Sequence, residues 1–465
     1  MRDLTAVKSA LKNHQIELPS WAFGNSGTRF KVFGQPGVPR NPYEKADDAA
    51  QVHKYTGVAP IMAVHIPWDK VDDYATLSAH ARDNGIRIGA VNANVFQDDD
   101  YKLGSVCNPD PKSRKKALAH LLECVDIMDA TGSRDLKLWF ADGTNYPGQD
   151  DISARQDRLA EALAAVYARL GDGQRMLLEY KLFEPSFYTT DVPDWGTALL
   201  HCQALGGKAQ VVVDTGHHAP GVNIEFIVAL LPKSGKLGGF DFNSRFYADD
   251  DLMVGAADPF QLFRIMHEVV KAAALYEGQP LEITARSGAA ANSVDTKQPY
   301  GASNDPSSSP DGSSTGITAT GAAALADTAP ARSAEEGRAR PGRITATGAA
   351  ARAGGPGIAF MLDQCHNIEP KIPAQIRSVM NVQEAVAKAL LVDAGALREA
   401  QLAGDVLEAN AVLMDAYNTD VRPLLAELRE EMGLAPDPVR AYLASGYAEK
   451  IASERIGGTA AGWGA

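Results

Sequence analysis

The stretch QVVVDTGHHAP, residues 210–220, decides the fold. Its three valines are β-branched and apolar, which indicates a short strand that is buried on both faces. The strand ends at Asp214, and Gly216 permits the turn that follows. A carboxylate at the end of a buried strand, followed by His217 and His218, is typical of a metal site on an α/β barrel. The alternative interpretation is a helix-capping aspartate followed by two exposed histidines.

Buried strands alternate with amphipathic helices on both sides of this stretch. Eight strand–helix alternations in a row favour a (β/α)8 TIM barrel over a sandwich or a bundle. The other seven strands are expected at residues 18–23, 59–66, 87–96, 135–140, 175–179 and 237–243, and from Ile358 onward.

The composition is that of a globular protein with a large core, because 45% of the 465 residues are hydrophobic and 22% are charged. A net charge of −13 argues against a nucleic-acid or anionic-membrane partner. The four cysteines are scattered without a CxxC spacing, which is typical of a reducing compartment. We find no signal-peptide pattern and no apolar run of transmembrane length, so we expect a cytoplasmic protein.

The chain divides into three regions by composition. Residues 1–282 and 358–373 form the expected barrel and catalytic domain. Residues 283–357 are dominated by Ala, Gly, Ser, Thr and Pro, and they repeat the pattern ITATGAAA, so we expect a disordered insertion before the eighth strand. Residues 374–465 read as amphipathic helices, which we expect to pack between subunits.

Strands five to eight each end in a carboxylate. The catalytic face of a barrel lies at these carboxyl ends, so the four side chains are expected to meet there. Four unpaired anions repel one another in a cleft of low dielectric, and a hard divalent cation such as Mn²⁺ or Mg²⁺ relieves that repulsion. Separate surface salt bridges are the alternative, which four matching strand ends disfavour. The four residues are Glu179, Asp214, Asp241 and Asp363.

Further polar residues follow the same strands. Lys181 lies two residues after Glu179 and so faces the same side, where it can hold or polarise a substrate oxygen. His217 is close enough to Asp214 to serve an adjacent second metal. The acidic triple after strand seven would add Asp249 and Asp251, although such triples are usually solvated loop residues.

Aromatic residues also collect at the strand ends. His65 ends the second strand and is a candidate acid or base, although a buried core histidine is the more common case. Trp21, Trp68 and Trp139 lie at or just beyond strand ends and are expected to form an apolar wall for a sugar ring, unless they are ordinary core residues.

Several of these segments together resemble the L-rhamnose isomerases, and above all their broad-specificity bacterial branch, within the metal-dependent sugar isomerases. Each segment alone is unspecific, but their joint occurrence in this order is highly specific. The insertion has no counterpart in the family. Between about residue 20 and residue 370 the matching segments are SWAFGNSGTRF, HIPWDK, LWFADGTNYPGQ, EYKLFEPSFY, DWGT, VDTGHHAPGVNIE, LGGFDFN, YADDDL and LDQCHN.

The resemblance implies a homotetrameric TIM barrel of rhamnose catabolism that interconverts L-rhamnose and L-rhamnulose. Two divalent metals per subunit, commonly Mn²⁺ with Co²⁺ or Mg²⁺ as alternatives, would polarise the open-chain sugar during a 1,2-hydride shift. One metal would be held by Glu179, Asp214, Asp241 and Asp363, and the other by His217, Asp249 and Asp251. The catalytic residues would be Lys181, His65 and Asp363, and the substrate-binding residues Trp21, Phe30, His65, Trp68, Trp139 and Lys181.

One position departs from the family pattern. Asp241 stands where the family has histidine in GGFHFN, and aspartate is shorter, adds negative charge and favours harder ions. Two other functions therefore stay open: a metal-dependent ketose 3-epimerase, which uses a similar acidic rim, and a degenerate sugar-binding protein. No glycine-rich phosphate fingerprint is present, so no nicotinamide cofactor is expected.

Overall fold

The central feature is a closed barrel of eight parallel strands, seen in a computed structural model that describes residues 4–28, 31–184, 187–246, 249–276, 357–364 and 368–456. Going round the barrel, the strand order is β1-β12-β11-β10-β7-β6-β5-β4. Two short hairpins, β2–β3 and β8–β9, lie outside it. The strands are β1 (Glu17–Pro19), β2 (Ser26–Thr28), β3 (Lys31–Phe33), β4 (Ile61–Ile66), β5 (Arg87–Ala93), β6 (Asp135–Leu138), β7 (Arg175–Glu179), β8 (Phe183–Glu184), β9 (Tyr188–Thr189), β10 (Ala209–Asp214), β11 (Leu237–Phe242) and β12 (Ala359–Leu362).

Helices surround the barrel and continue beyond it. The barrel strands are buried on both faces, which is the reason for their continuous apolar sequence. The helices are α1 (Leu4–Asn13), α2 (Pro42–Thr56), α3 (Tyr74–Asp83), α4 (Pro111–Thr131), α5 (Ile152–Arg169), α6 (Trp195–Leu205), α7 (Ile224–Leu230), α8 (Pro259–Tyr276), α9 (Lys371–Leu390), α10 (Ala394–Ala403), α11 (Val406–Asn418), α12 (Arg422–Glu431), α13 (Pro438–Leu443) and α14 (Tyr447–Glu454).

The helix ends are set by local sequence. In α2, the Asn41 side chain accepts a hydrogen bond from the Glu44 N–H, and Pro42 occupies the first turn, where its missing N–H costs nothing. Gly57 ends the same helix at φ 73°, a left-handed conformation that glycine adopts without strain. The residues at its two ends therefore determine where α2 begins and ends.

Alternation along β11 separates the core from the interior of the barrel. Phe240 and Phe242 point outward and contact Phe360 of β12, with ring centroids 5.9 and 5.4 Å away. Asp241, between them, therefore points into the barrel. His14 packs edge-on against Phe360 from below β1, at 4.5 Å.

The (β/α)8 barrel predicted from the sequence is confirmed, and a helical C-terminal region follows it. Its first helix, α9, packs against α2 and α8, so it belongs to the ring of helices, and the boundary expected at residue 374 falls inside it. None of the described helices is long and apolar enough to cross a membrane. The insertion expected at 283–357 lies outside the described residues, apart from Gly357.

Several strands are shorter than predicted. The first was expected at 18–23, but β1 stops at Pro19 and a 3-10 helix, Ser20–Phe23, carries Trp21. Proline has no N–H to give to the ladder, so the strand ends there. β5 and β6 end three and two residues early, at Ala93 and Leu138, and Phe96 and Trp139 beyond them line the cleft at the mouth of the barrel.

Candidate active site and metal centre

A cleft of about 530 Å³ opens at the carboxyl ends of the barrel strands. Both polar and aromatic side chains line it, and they come from the ends of strands that are distant in sequence. The geometry of the barrel therefore gathers residues that the chain keeps apart.

Four carboxylates lie close together at this end of the barrel, and all of them except Asp214 line the cleft. Each of them offers an oxygen within 4.8 Å of the others. Two end their strands, one is the second-last residue of β11, and one follows β12 directly. They are Glu179, Asp214, Asp241 and Asp363, and we call them the four-carboxylate centre.

Burial makes the negative charge of this centre costly. It raises the pKa of Asp214 to about 7 and that of Asp241 to about 6. Burial, together with the charge of Asp214, raises the pKa of Asp363 well above its usual range. Asp214 Oδ2 is buried and has no hydrogen-bond partner among the described residues. An all-oxygen donor set with an unsatisfied buried oxygen fits a hard divalent cation such as Mn²⁺ or Mg²⁺.

His217 extends the cluster toward a second possible site. Its imidazole, Glu179 and Asp214 form another group with ligand atoms within 4.8 Å of one another. His217 Nδ1 lies 3.0 Å from Glu179 Oε1, and Nε2 lies 2.8 Å from Asp249 Oδ1. His218 instead turns to the Tyr180 hydroxyl, 2.7 Å away, and does not line the cleft.

The acidic triple after β11 is only partly a solvated loop. Asp249 and Asp251 are held at φ 54° and 46°, a left-handed conformation that non-glycine residues seldom adopt. Asp251 is buried and accepts from Asn243 Nδ2 at 3.3 Å rather than contacting His217. Of the expected second ligand set, the structure thus brings only His217 and Asp249 into contact, with Asp251 nearby.

The His217–Asp249 contact behaves as an ion pair. Burial alone lowers the pKa of His217, but Asp214 and Asp249 outweigh it and raise that pKa well above its usual value. Burial alone raises the pKa of Asp249, but His217 and Lys181 outweigh it and lower that pKa far below its usual range. The imidazolium therefore neutralises part of the acidic rim.

Lys181 lies just beyond β7 and lines the cleft. Its ammonium contacts Asp249 Oδ2 at 2.6 Å and Glu184 Oε2 at 2.9 Å. It also lies 4.9 Å from the centre of the Trp139 ring, a cation–π distance. Although burial lowers the pKa of Lys181, the two carboxylates outweigh it and raise that pKa above its usual value. A permanent positive charge thus faces the cleft.

His65 and the aromatic residues form one wall of the cleft. Trp68 stacks on His65 with ring centroids 3.9 Å apart, and Phe96 lies 4.8 Å from Trp139. Burial lowers the pKa of His65 to about 3, so its imidazole is neutral at physiological pH. His65 Nδ1 is buried without a hydrogen-bond partner among the described residues. It is thus suited to hydrogen bonding with a ligand rather than to acting as a cationic acid.

Trp21 does more than shape this wall, because its indole Nε1–H donates to Asp363 Oδ1 at 2.9 Å. The 3-10 helix that replaces the end of the predicted first strand places it there. Phe30, the remaining substrate residue expected from the sequence, lies outside the described residues.

Two residues hydrogen-bond to the four-carboxylate centre, and neither contact was predicted from the sequence. Lys137 of β6 is buried and donates to Asp241. Asn243, the residue after β11, donates to Asp214 Oδ1 at 3.0 Å. The signal for Lys137 was available, because a lone lysine in the apolar strand DLKLWF requires a buried anion.

The fold and this site define a TIM barrel with a cluster of carboxylates at its mouth. The chain is 38% identical to a probable sugar isomerase of Rhizobium meliloti, over 97% of this chain and 89% of that protein. It is 36% identical to a probable sugar isomerase of Mesorhizobium japonicum, over 97% and 88% of the two chains. The chain belongs to the family of these probable sugar isomerases.

Similarity to other proteins is more limited. A xylose isomerase of Thermus thermophilus is 30% identical over 37% of this chain and 47% of that protein. A solved D-psicose 3-epimerase covers 56% of this chain and 81% of its own at 15% identity, with a TM-score of 0.42. No protein-family model matches the chain.

Proposed function

We propose that the protein is a metal-dependent aldose–ketose isomerase, and that L-rhamnose and L-rhamnulose are its substrate pair. The observation that carries the proposal is the four-carboxylate centre, gathered within 4.8 Å at a cleft with a buried ammonium and a neutral imidazole. Membership of a family of probable sugar isomerases supports the reaction class. The L-rhamnose isomerase motifs of the sequence support the choice of sugar.

The four-carboxylate centre would hold one cation, and His217, with Glu179, Asp214 and Asp249 around it, would hold a second. When bound, such cations supply Lewis acidity toward the oxygens of an open-chain sugar. We propose Mn²⁺ as the metal, with Co²⁺ and Mg²⁺ as alternatives.

The residues of the chain position the sugar and handle its protons. Isomerisation moves one hydrogen, as hydride, from C2 to C1 and one proton from O2 to O1. The Lys181 ammonium would hold a substrate oxygen near C1 and C2, and His65 Nδ1 would bind a hydroxyl or the ring oxygen. Asp214 Oδ2 accepts no hydrogen bond among the described residues, and this carboxylate oxygen would hold the proton in transit.

The aromatic wall would keep the site dry. Trp68 and Trp139 would cover the apolar face of the sugar, and so exclude the water that weakens electrostatic interactions with the reacting oxygens. Trp21 would keep Asp363 in place through its indole N–H. The same resemblance to L-rhamnose isomerases leads us to propose a homotetramer acting in cytoplasmic rhamnose catabolism.

The proposal is tested by L-rhamnulose formation from L-rhamnose with purified, chelator-stripped protein, before and after addition of Mn²⁺. Metal-dependent ketose formation is the expected result, and it would show that Asp241 is an acceptable ligand. A C3 epimer formed from a ketose without any aldose would replace the proposal with a ketose 3-epimerase. Sugar binding without turnover at Mn²⁺, Co²⁺ and Mg²⁺ alike would replace it with a degenerate binding protein.

A further inference from the structure

A buried ion pair lies inside the barrel against the four-carboxylate centre. Lys137 and Asp241 are each only 1% exposed, and the ammonium donates directly to Asp241 Oδ1. β6 is separated from β11 by β7 and β10, so the lysine side chain crosses the interior of the barrel to reach this carboxylate. One proposed metal ligand is therefore already engaged by a positive charge.

The ammonium lies between two acidic residues. Glu17 of β1 is in register with Met361 of β12, and Met361 is in register with Asp241 of β11. Lys137 Nζ is 3.4 Å from Met361 Sδ, in the middle of that row. The lysine thus faces Glu17 on one side of Met361 and Asp241 on the other.

Glu17 is buried but only half satisfied. Its Oε1 accepts from the Ala90 N–H at 2.5 Å, while its Oε2 has no hydrogen-bond partner among the described residues. β5, which lies one strand beyond β4, makes room for this carboxylate with Gly89, where a Cβ would lie 1.9 Å from Glu17 Oε1. A free carboxylate oxygen beside the ammonium offers it a second place to bind.

We propose that Lys137 is a positioning residue that competes with the metal for Asp241. In the metal-free protein the ammonium holds Asp241 and offsets part of the repulsion among the four carboxylates. When a divalent cation takes that carboxylate, Glu17 Oε2 receives the ammonium. Lys137 therefore lets the metal-free site fold, and it lowers the affinity of the site for its cation. This inference rests on the metal centre of the proposed function.

The decisive variant is Lys137→Met, which keeps an unbranched side chain only one atom shorter and removes the charge. Mn²⁺ affinity, measured by competition with a chromophoric chelator, should become about tenfold tighter, because a like charge beside the cation is gone. The melting temperature of the metal-free protein should fall, and the rise on adding Mn²⁺ should be larger than in the wild type.

The matched control is Arg455→Met, which breaks another buried ion pair. Its partner, Asp48, lies on α2, away from the barrel interior. It should lower the melting temperature with and without Mn²⁺ and leave the Mn²⁺ affinity unchanged. Unchanged or weaker Mn²⁺ binding by Lys137→Met would overturn the inference, since it would show a structural role alone.

A second variant decides the matter if Lys137→Met does not fold. In Glu17→Gln, Oε1 still accepts from Ala90, but the ammonium loses its alternative carboxylate, so Mn²⁺ affinity should be about threefold weaker. Unchanged or tighter binding would overturn the inference. The proposed function fails separately: a wild type that binds Mn²⁺ but converts no sugar would overturn the isomerase proposal alone.

Discussion

The two ends of the barrel differ in how their buried carboxylates are paired with positive charges. At the amino end, Arg175 Nε lies 2.6 Å from Asp135 Oδ1, and its Nη1 donates to the Gln210 side chain and the Gly357 carbonyl. At the carboxyl end, six carboxylates of the described residues lie near three basic groups, in addition to the neutral imidazole of His65. The carboxylates are Glu179, Asp214, Asp241, Asp249, Asp251 and Asp363, and the basic groups are Lys137, Lys181 and His217.

The difference is visible in two aspartates, one at each end of the barrel. Burial alone raises the pKa of Asp135, but Arg175 outweighs it and lowers that pKa below its usual value. For Asp363, burial and the neighbouring Asp214 act together and raise the pKa. The amino end is therefore arranged for stability, while the carboxyl end keeps unfavourable electrostatics that a bound cation can relieve.

The largest expected effect comes from Glu179, because it belongs to both candidate ligand groups. Glu179→Gln should reduce isomerase turnover by at least about a thousandfold and abolish Mn²⁺ binding, since it deletes an anion that both cations would share. Turnover is measured by ketose formation and binding by titration calorimetry. Glu225→Gln on α7 removes a carboxylate outside the cleft and should change neither. Undiminished turnover in Glu179→Gln would contradict the proposed site.

At the amino end, the same kind of change should affect stability alone. Arg175→Met leaves Asp135 buried without its cation and should lower the free energy of unfolding by about 3 kcal/mol. Urea denaturation of the chelator-treated protein measures this loss. The Mn²⁺ affinity of the folded variant should equal that of the wild type. A change in affinity would show that the two ends are coupled, which the comparison denies.

Acid should destabilise the amino end through His14. Both ring nitrogens of His14 are buried without a hydrogen-bond partner among the described residues, and burial lowers its pKa from 6.5 to about 4. The unfolded chain therefore takes up the proton first, so stability present above pH 6.5 is lost as the pH falls toward about 4.

In His14→Phe this acid-dependent loss should be smaller by about 3 kcal/mol, because the replaced ring cannot be protonated. Urea denaturation at several pH values, in chelator, measures it. The carboxylates of the rim titrate in both proteins and cancel in the difference. Parallel curves for the two proteins would show that His14 is not protonated on unfolding.

A smaller effect is expected at Trp21, whose indole N–H donates to the proposed metal ligand Asp363. Trp21→Phe keeps the aromatic wall but removes the N–H that Asp363 accepts, so Mn²⁺ affinity should weaken by about tenfold. Trp68→Phe is the control, since its indole N–H donates to Gln97 instead of to the acidic centre. Equal affinities in both variants would show that the Trp21 hydrogen bond does not orient the carboxylate.

The sequence predicted the barrel because its strands are short, apolar runs between amphipathic helices, and this signal does not depend on distant contacts. It also placed Glu179 and Asp214 at strand ends, where the structure has them. The gathering of the four carboxylates follows from parallel strands that share one catalytic end. The metal-binding roles assigned to these residues stay predictions.

Other features could not be predicted, because they depend on side chains that cross the barrel. The partner of Lys137 could not be predicted, since Asp241 lies 104 residues away along the chain. Trp21 was placed on a strand, although Pro19 ends that strand and a 3-10 helix turns the indole toward Asp363. The neutrality of His65 depends on burial, which a single sequence does not report.

The space at Gly89 constrains the order in which this barrel can change during evolution. An alanine there would lie 1.9 Å from Glu17 Oε1 and 2.4 Å from Ile61 Cγ2, so neither neighbour can stay where it is. A side chain at position 89 would need this space, so shorter residues at positions 17 and 61 would have to be present first. Since Glu17 also faces Lys137, a lineage with those residues would first have to survive with its interior charges rearranged. The residues at positions 17, 61 and 89 therefore depend sterically on one another.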